Sequence, residues 1–371
     1  MTSAAKQAEA DQASAAFQTA LTQIGAGTVE EALKLWQAVP ATARAAQSSA
    51  WLKRAITMVM TRRRMSRDLA RAYYRLVRAL RTGTTVADPY HPEPTYVTLD
   101  TLRREFAALA GDAEDGSLEE RPASAGSTLP GRRPSDEDSA PEVEDDVNDD
   151  QILVEELPEL REDEERIERE AEEEARVILD LLGPSNLDRK TSAIDESKPA
   201  KDVDKARGEA HQQAGTRQAA AAERIVNNGG RSAVWNHMSK DRRVLGYVRL
   251  SRTGTPCGWC AMLISRGFVR SDGYRTQKGA GPTLAQLESG EYADGDKYHD
   301  NCHCYAEPVF APEQYDSPAY ALNRSYAELW PKVTRGLSGK AAVSAWRRFI
   351  RQQQKSAAQE ARQSTTDVQE A

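Results

Sequence analysis

The 371-residue sequence has four cysteines and five histidines, and aromatic residues make up 6% of it. All four cysteines fall between positions 257 and 304, which excludes the distributed pairing of a secreted disulfide scaffold. No apolar run approaches the roughly 20 residues that span a bilayer. The N-terminal MTSAAKQAEADQ has neither the charge-then-apolar order nor the small-residue cleavage site of an export signal. The expectation is a soluble protein with no membrane partner. Gly-x-Ser-x-Gly does not occur, no internal repeat is visible, and five histidines single out no Ser, His and Asp set. Nothing therefore marks a serine hydrolase or a maturation protease.

Apolar residues make up 39% of the chain and charged residues 29%, too little apolar content to bury all of it. The charge is unevenly spread. From Asp112 to Glu174 there are 26 acidic and 6 basic residues, a balance of −20 that leaves +13 for the rest of a chain with net charge −7. A stretch of that composition cannot offset its conformational entropy by burial and is expected to be a long disordered acidic linker. The fold class expected is mainly α with a small α+β zinc-binding module. Four segments follow: a helical N-terminal domain over 1–110, the acidic linker over 111–178, partly helical at its end, a domain over 179–355 carrying the cysteines, and a flexible tail over 356–371.

Within the first segment, alanine-rich sequence from Ser3 predicts a helix stopped at Gly25-Ala26-Gly27, and Thr28-Val29-Glu30-Glu31 starts another that Pro40 ends. The strongest helical period runs from Trp51 to Arg81, with Gly83 as its cap. Leu69, Tyr73, Leu76 and Leu80 share one face, and Arg64, Arg67, Arg71, Arg75 and Arg78 the other. Residues 183–201 read as loop, and Ala206–Asn228 as a helix ended by Asn227-Asn228-Gly229-Gly230. Val244–Leu250 has strand character, and two further helices follow Phe310, one ending at Trp330-Pro331 and one carrying Val343, Trp346 and Ile350.

Cys257-Gly-Trp-Cys260 has the spacing at which a tight turn aims two thiolates at one ion. About forty residues on, His299-Asp-Asn-Cys302-His-Cys304 supplies three more donors. One structural Zn2+ held by four of Cys257, Cys260, His299, Cys302 and Cys304 fits this pattern, either with all four cysteines or with His299 replacing Cys302 or Cys304. His303 is expected to point away. Three rivals remain: a redox dithiol at a helix N-terminus, a papain-like cysteine, and unliganded buried thiols. A zinc-dependent DNA-binding regulator fits less well, because Ala261–Gly267 carries only Arg266 as a basic residue.

Pro256-Cys257-Gly-Trp-Cys260-Ala-Met-Leu, Arg266-Gly-Phe-Val, Lys297-Tyr-His299-Asp-Asn-Cys302-His-Cys304 and Pro308-Val-Phe310 together resemble the MuF-like minor head proteins of tailed bacteriophages. Ala70–Gly83 is similar to the N-terminal region of actinobacteriophage versions. The resemblance spans roughly residues 50–90 and 200–350, and Asp300 stands where the family usually has proline. It implies a minor capsid protein of the procapsid or virion, assembled in the host bacterial cytoplasm. Such a protein would sit near the portal, with the portal protein or the major capsid protein as partner and a role in genome packaging or ejection. A capsid-associated enzyme, either a maturation protease or a metal or cysteine hydrolase, is the alternative. The arginine face over 64–78 has three readings: a solvated helix surface, a contact to phage DNA or an acidic protein, or a surface covered by the acidic linker of the same chain.

Overall fold

Ten basic residues lie on one 34-residue helix, α2 (Ser49–Thr82), and the way they are neutralised organises much of the chain. The computed structural model describes residues 3–115, 151–252, 256–270, 302 and 304–369. The described residues are mainly helical. Helix α1 (Ser3–Gln37) packs along α2, the short strands β1 (Thr84–Val86) and β2 (Tyr96–Thr98) follow, and α3 (Leu99–Asp115) returns over α2. After the acidic stretch come β3 (Gln151–Glu155), α4 (Leu160–Leu182), α5 (Pro184–Ser192) and the 41-residue α6 (Ala200–Lys240). The rest comprises β4 (Gly246–Leu250), α7 (Gly258–Ile264), β5 (Val269–Arg270), β6 (Tyr305–Val309), α8 (Ala321–Val333) and α9 (Gly339–Gln369).

Helices α1, α2 and α6 form the centre of the molecule. Leu69, Tyr73, Leu76 and Leu80 are all buried there, Phe17 stacks on Tyr73 with ring centroids 4.4 Å apart, and Gly83 closes α2 in the left-handed region at φ 77°. Burying a leucine or phenylalanine side chain of this kind contributes about 1.5–3 kcal/mol. The segments expected as separate N-terminal and cysteine-bearing domains share this core, which runs from Ala10 to Tyr320.

Two expected helix stops are helix interiors instead. Helix α1 runs through Gly25-Ala26-Gly27, and α6 runs through Asn227-Asn228-Gly229-Gly230. Their glycines serve close packing: a Cβ at Gly229 would lie 2.6 Å from the Arg63 carbonyl oxygen, and one at Gly25 2.7 Å from Asn227 Nδ2. At Gly229 backbone approaches backbone, and at Gly25 backbone approaches the Asn227 side chain, which only residues without a Cβ allow. Residues expected as loop include α5, α8 passes through Pro331 to Val333, and α9 continues to Gln369, beyond the start of the expected tail.

The acidic stretch divides at 151. Residues 111–115, expected as the start of the linker, extend α3 instead, and residues 116–150, where disorder is expected, lie outside the described residues. From 151 onward the acidic side chains cover α2. Strand β3 enters between β1 and β2, parallel to the first and antiparallel to the second, and brings Glu155 to Arg78. Helix α4 brings Glu168 to Arg63 at 3.0 Å and Glu164 to Arg71 at 3.4 Å. Arg75 pairs with Glu93 and Glu105, and Arg78 Nε donates to Asp241 Oδ2 at 2.6 Å. Arg71, Arg75 and Arg78 are therefore buried, and the solvated-face reading is corrected for them. Desolvating so many guanidinium groups costs several kcal/mol each unless carboxylates follow them inside, and here they do.

The second sheet has order β5-β4-β6 with both pairings antiparallel. Tyr305 pairs with Leu250, Ala306 with Arg249 and Glu307 with Val248. Alternation along β6 turns Tyr305 and Glu307 toward α1 and α2 and leaves Cys304 and Ala306 on the opposite side, with Arg249. No described helix is long and apolar enough to cross a membrane.

Candidate metal centre

Two chain segments build the site. Cys257 is the N-cap of α7, and its sulfur accepts the Cys260 backbone N–H at 3.3 Å. Gly258 keeps the first turn of α7 small: a Cβ there would lie 2.9 Å from Arg347 Cγ, so α9 packs directly on this turn. Helix α7 then turns Ala261, Met262 and Ile264 into a second apolar cluster with Tyr326, Trp346 and Ile350 of α8 and α9, while Cys260 faces the other way. Trp330 and Trp346 pack in that cluster and Trp235 packs against Tyr247.

Opposite Cys260, the chain entering β6 presents Cys302 and Cys304. The three sulfurs form a closed triangle with edges of 3.3 Å for Cys260–Cys302, 3.2 Å for Cys302–Cys304 and 3.2 Å for Cys304–Cys260. None is more than 3% exposed, and none is in a disulfide. This is the group of sulfur, imidazole and carboxylate donors among the described residues that could hold a metal ion. A tetrahedral ion about 2.3 Å from each sulfur would hold neighbouring sulfurs about 3.8 Å apart. The donors therefore fit such an ion once each edge lengthens by about half an ångström, an outward shift of about 0.3 Å per sulfur. Cys257 borders the triangle, half-buried and hydrogen-bonded with Cys260. His299 and His303 lie outside the described residues.

The surrounding charge is positive. Arg249 Nε donates to Cys304 Sγ at 3.2 Å, and Arg231, also buried, donates to the Cys302 carbonyl oxygen. Burial opposes ionisation of Cys304, yet hydrogen bonding with Cys260 and Cys302 and the two guanidinium groups hold its thiol well below the ordinary range. Hydrogen bonding to Cys257, then to Cys302 and Cys304, pushes the Cys260 thiol up. For Cys302, the bond with Cys260 favours the thiolate, but the bond to Cys304 and burial outweigh it and raise the thiol to about 11.

Nothing in the cysteine spacing marks Arg231 or Arg249. The available signal was the placement of Arg249 in an otherwise apolar strand, where a fully buried arginine needs a specific acceptor. A second buried group is equally unmarked by any spacing in the sequence. Glu307 is fully buried on the reverse face of β6, accepting from Tyr305 Oη at 3.1 Å and Tyr73 Oη at 3.2 Å, as well as from Ser14 and Tyr320. Arg252 stands 3.6 Å away as its counter-charge. Burial and the Glu307 charge push all three tyrosine hydroxyls up, so they remain donors.

No curated protein and no solved structure matches the chain. Residues 188–330, which run from α5 into α8 and include all four cysteines, are similar to a protein family described as VG15 protein.

Proposed function

We propose that the chain is a minor head protein of a tailed bacteriophage whose cysteine cluster binds one structural Zn2+. The observation that carries the metal assignment is the buried sulfur triangle of Cys260, Cys302 and Cys304. Thiolate donors select zinc over magnesium or calcium, and their burial favours a closed structural site over one with a position left for substrate. Cys257 is the fourth donor we favour, because its sulfur already lies against Cys260, and His299 is its competitor. Four thiolates around a divalent ion leave two negative charges, which Arg231 and Arg249 offset. Bound there, the ion would tie the α7 turn to β6 and so join the α7, α8 and α9 cluster to the main core. No catalytic role is needed.

The phage assignment is supported by the VG15 match over the cysteine-bearing region and by the minor head protein motif from Pro256 to Phe310. The role that follows is a component of the procapsid or virion near the portal, contacting the portal or major capsid protein and aiding genome packaging or ejection. Elemental mass spectrometry on the purified chain tests the metal assignment. One zinc per chain, lost in both Cys260→Ser and Cys302→Ser, is the expected result; metal-free protein with readily alkylated thiols would overturn it. For the head assignment, a tagged chain produced during infection should sediment with particles. Recovery only in the soluble fraction would remove that reading.

A further inference from the structure

Seven of the ten basic residues of α2 are neutralised within the chain: Arg62 by Glu31, Arg63 and Arg67 by Glu168, Arg71 by Glu164, Arg75 by Glu105, Arg78 by Asp241 and Arg81 by Asp11. The other three, Lys53, Arg54 and Arg64, are exposed and carry no ion pair among the described residues. Two of them line a groove of about 680 Å³ between α1 and α2, whose floor is Leu35 and Met58 and whose far end is the Arg62–Glu31 pair. Lys53 to Arg62 spans nine residues of helix, or about 14 Å. The groove is thus apolar below and positive at one end, over roughly two and a half turns.

Helix α4 carries the complement. Its buried side consists of Leu160, Glu164, Ala171, Ala175 and Leu179. At helical spacing the opposite side carries Glu170, Glu173, Val177 and Leu181, with Val177 54% and Leu181 56% exposed. Glu170 and Glu173 pair within the helix with Arg166 at 3.1 Å and Arg176 at 3.5 Å, but these pairs are exposed and weak, so they can be exchanged for basic partners on another surface. Among the described residues, these two large apolar side chains, four residues apart on a strongly acidic helix, belong to neither apolar cluster. Facing away from the core formed by the described residues, they are open to a second molecule. Glu170 to Leu181 spans about 16 Å of helix, close to the length of the groove.

We propose that the α1–α2 groove of one molecule receives the α4 stripe of a second copy of the same chain, Val177 and Leu181 covering Leu35 and Met58 while Glu170 and Glu173 meet Lys53 and Arg54. A nucleic acid is the less suitable occupant, since Leu35, Met58 and Glu31 line the groove and phosphate gains nothing from them. Groove and stripe are different surfaces, so each contact leaves one of each free at the ends of the assembly, and association continues past the dimer into a ring or an open chain.

Sedimentation velocity of the full chain over a range of concentration tests this. The weight-average mass should rise with concentration and fall back toward the monomer when NaCl is raised from 50 mM to about 500 mM, because the end contacts are ionic and exposed. Lys53→Glu with Arg54→Glu should abolish association, and so should Val177→Asp with Leu181→Asp; all four positions are exposed, and retained helical ellipticity shows that folding is intact. Mixing the two double variants restores one groove and one stripe, so the mixture should form a one-to-one dimer and nothing larger. A monomer at every concentration, association that survives both double variants, or a groove that shifts duplex DNA while the chain stays monomeric would each overturn the proposal.

Discussion

Asp241→Ala probes the buried ion-pair network that replaces the solvated arginine face. Arg78 and Asp241 side chains are 1% and 2% exposed, and the carboxylate also accepts from Tyr74 Oη at 2.9 Å. Burial works against the Arg78 charge, and the bonds to Asp241 and Glu155 raise its guanidinium above the ordinary value; with Asp241 removed it still stays charged, because a guanidinium is too basic to lose its proton in a protein. Removing one partner of a buried pair costs about 3–5 kcal/mol, and orphaning a buried hydroxyl about 1–3 kcal/mol. Glu155 stays beside Arg78 as a residual counter-charge, which places the pair loss at the low end, and the two losses overlap because they share one carboxylate. The expected destabilisation is about 4 kcal/mol, a large part of the 5–15 kcal/mol typical of a folded domain. In urea unfolding followed by helical ellipticity, a slope of about 2 kcal/mol per molar would move the midpoint down by about 2 M. Arg78→Met combined with Asp241→Leu should cost less than Asp241→Ala alone, since no unpaired charge is left inside. A loss below about 1 kcal/mol in Asp241→Ala would show that the network is not buried as described, and the reasoning would fail.

His237 is fully buried, and desolvation, the largest cause, lowers it from 6.5 to about 4 despite the bond from its Nδ1 to the Ala233 carbonyl oxygen. The unfolded chain therefore takes up a proton first, so stability is full above pH 6.5 and declines toward pH 4, by up to about 3 kcal/mol at 1.4 kcal/mol per unit; His237→Gln should flatten that part of the urea midpoint against pH curve. Gly229→Ala should lower the unfolding midpoint through about 1–3 kcal/mol of overpacking, because the new methyl meets the Arg63 carbonyl. Arg249→Met should weaken zinc binding about tenfold in competition with a chromophoric chelator, without changing the stoichiometry. Chelator treatment of the wild type should make Cys260, Cys302 and Cys304 reactive to alkylation together, and unchanged protection would speak against a shared ion.

Cysteine clustering was legible because sulfur donors in a sequence this poor in cysteine have few other uses, and α2 was legible because its apolar period is unbroken from Leu69 to Leu80. The glycines at 25, 27, 229 and 230 read as breaks because a local signal cannot distinguish a helix end from a place where two helices touch. The arginine face looked solvated for a related reason. Its partners Glu155, Glu164, Glu168 and Asp241 lie between about 77 and 163 positions away along the chain, and no periodicity connects them. Arg249, Glu307 and their acceptors were hidden by the same distance.

Strand β6 is a partition between two unlike environments, with Cys304 committed to sulfur neighbours on one side and Glu307 to hydroxyl and guanidinium neighbours on the other. Shifting the strand by one residue against β4 would exchange those sides, presenting a carboxylate to the thiol cluster and leaving three tyrosines without their acceptor. Either error alone would be costly, and a slip commits both at once. The alignment of this short sheet is therefore held by side-chain chemistry on its two faces as well as by its few backbone bonds, which lets a strand of five residues keep a unique position.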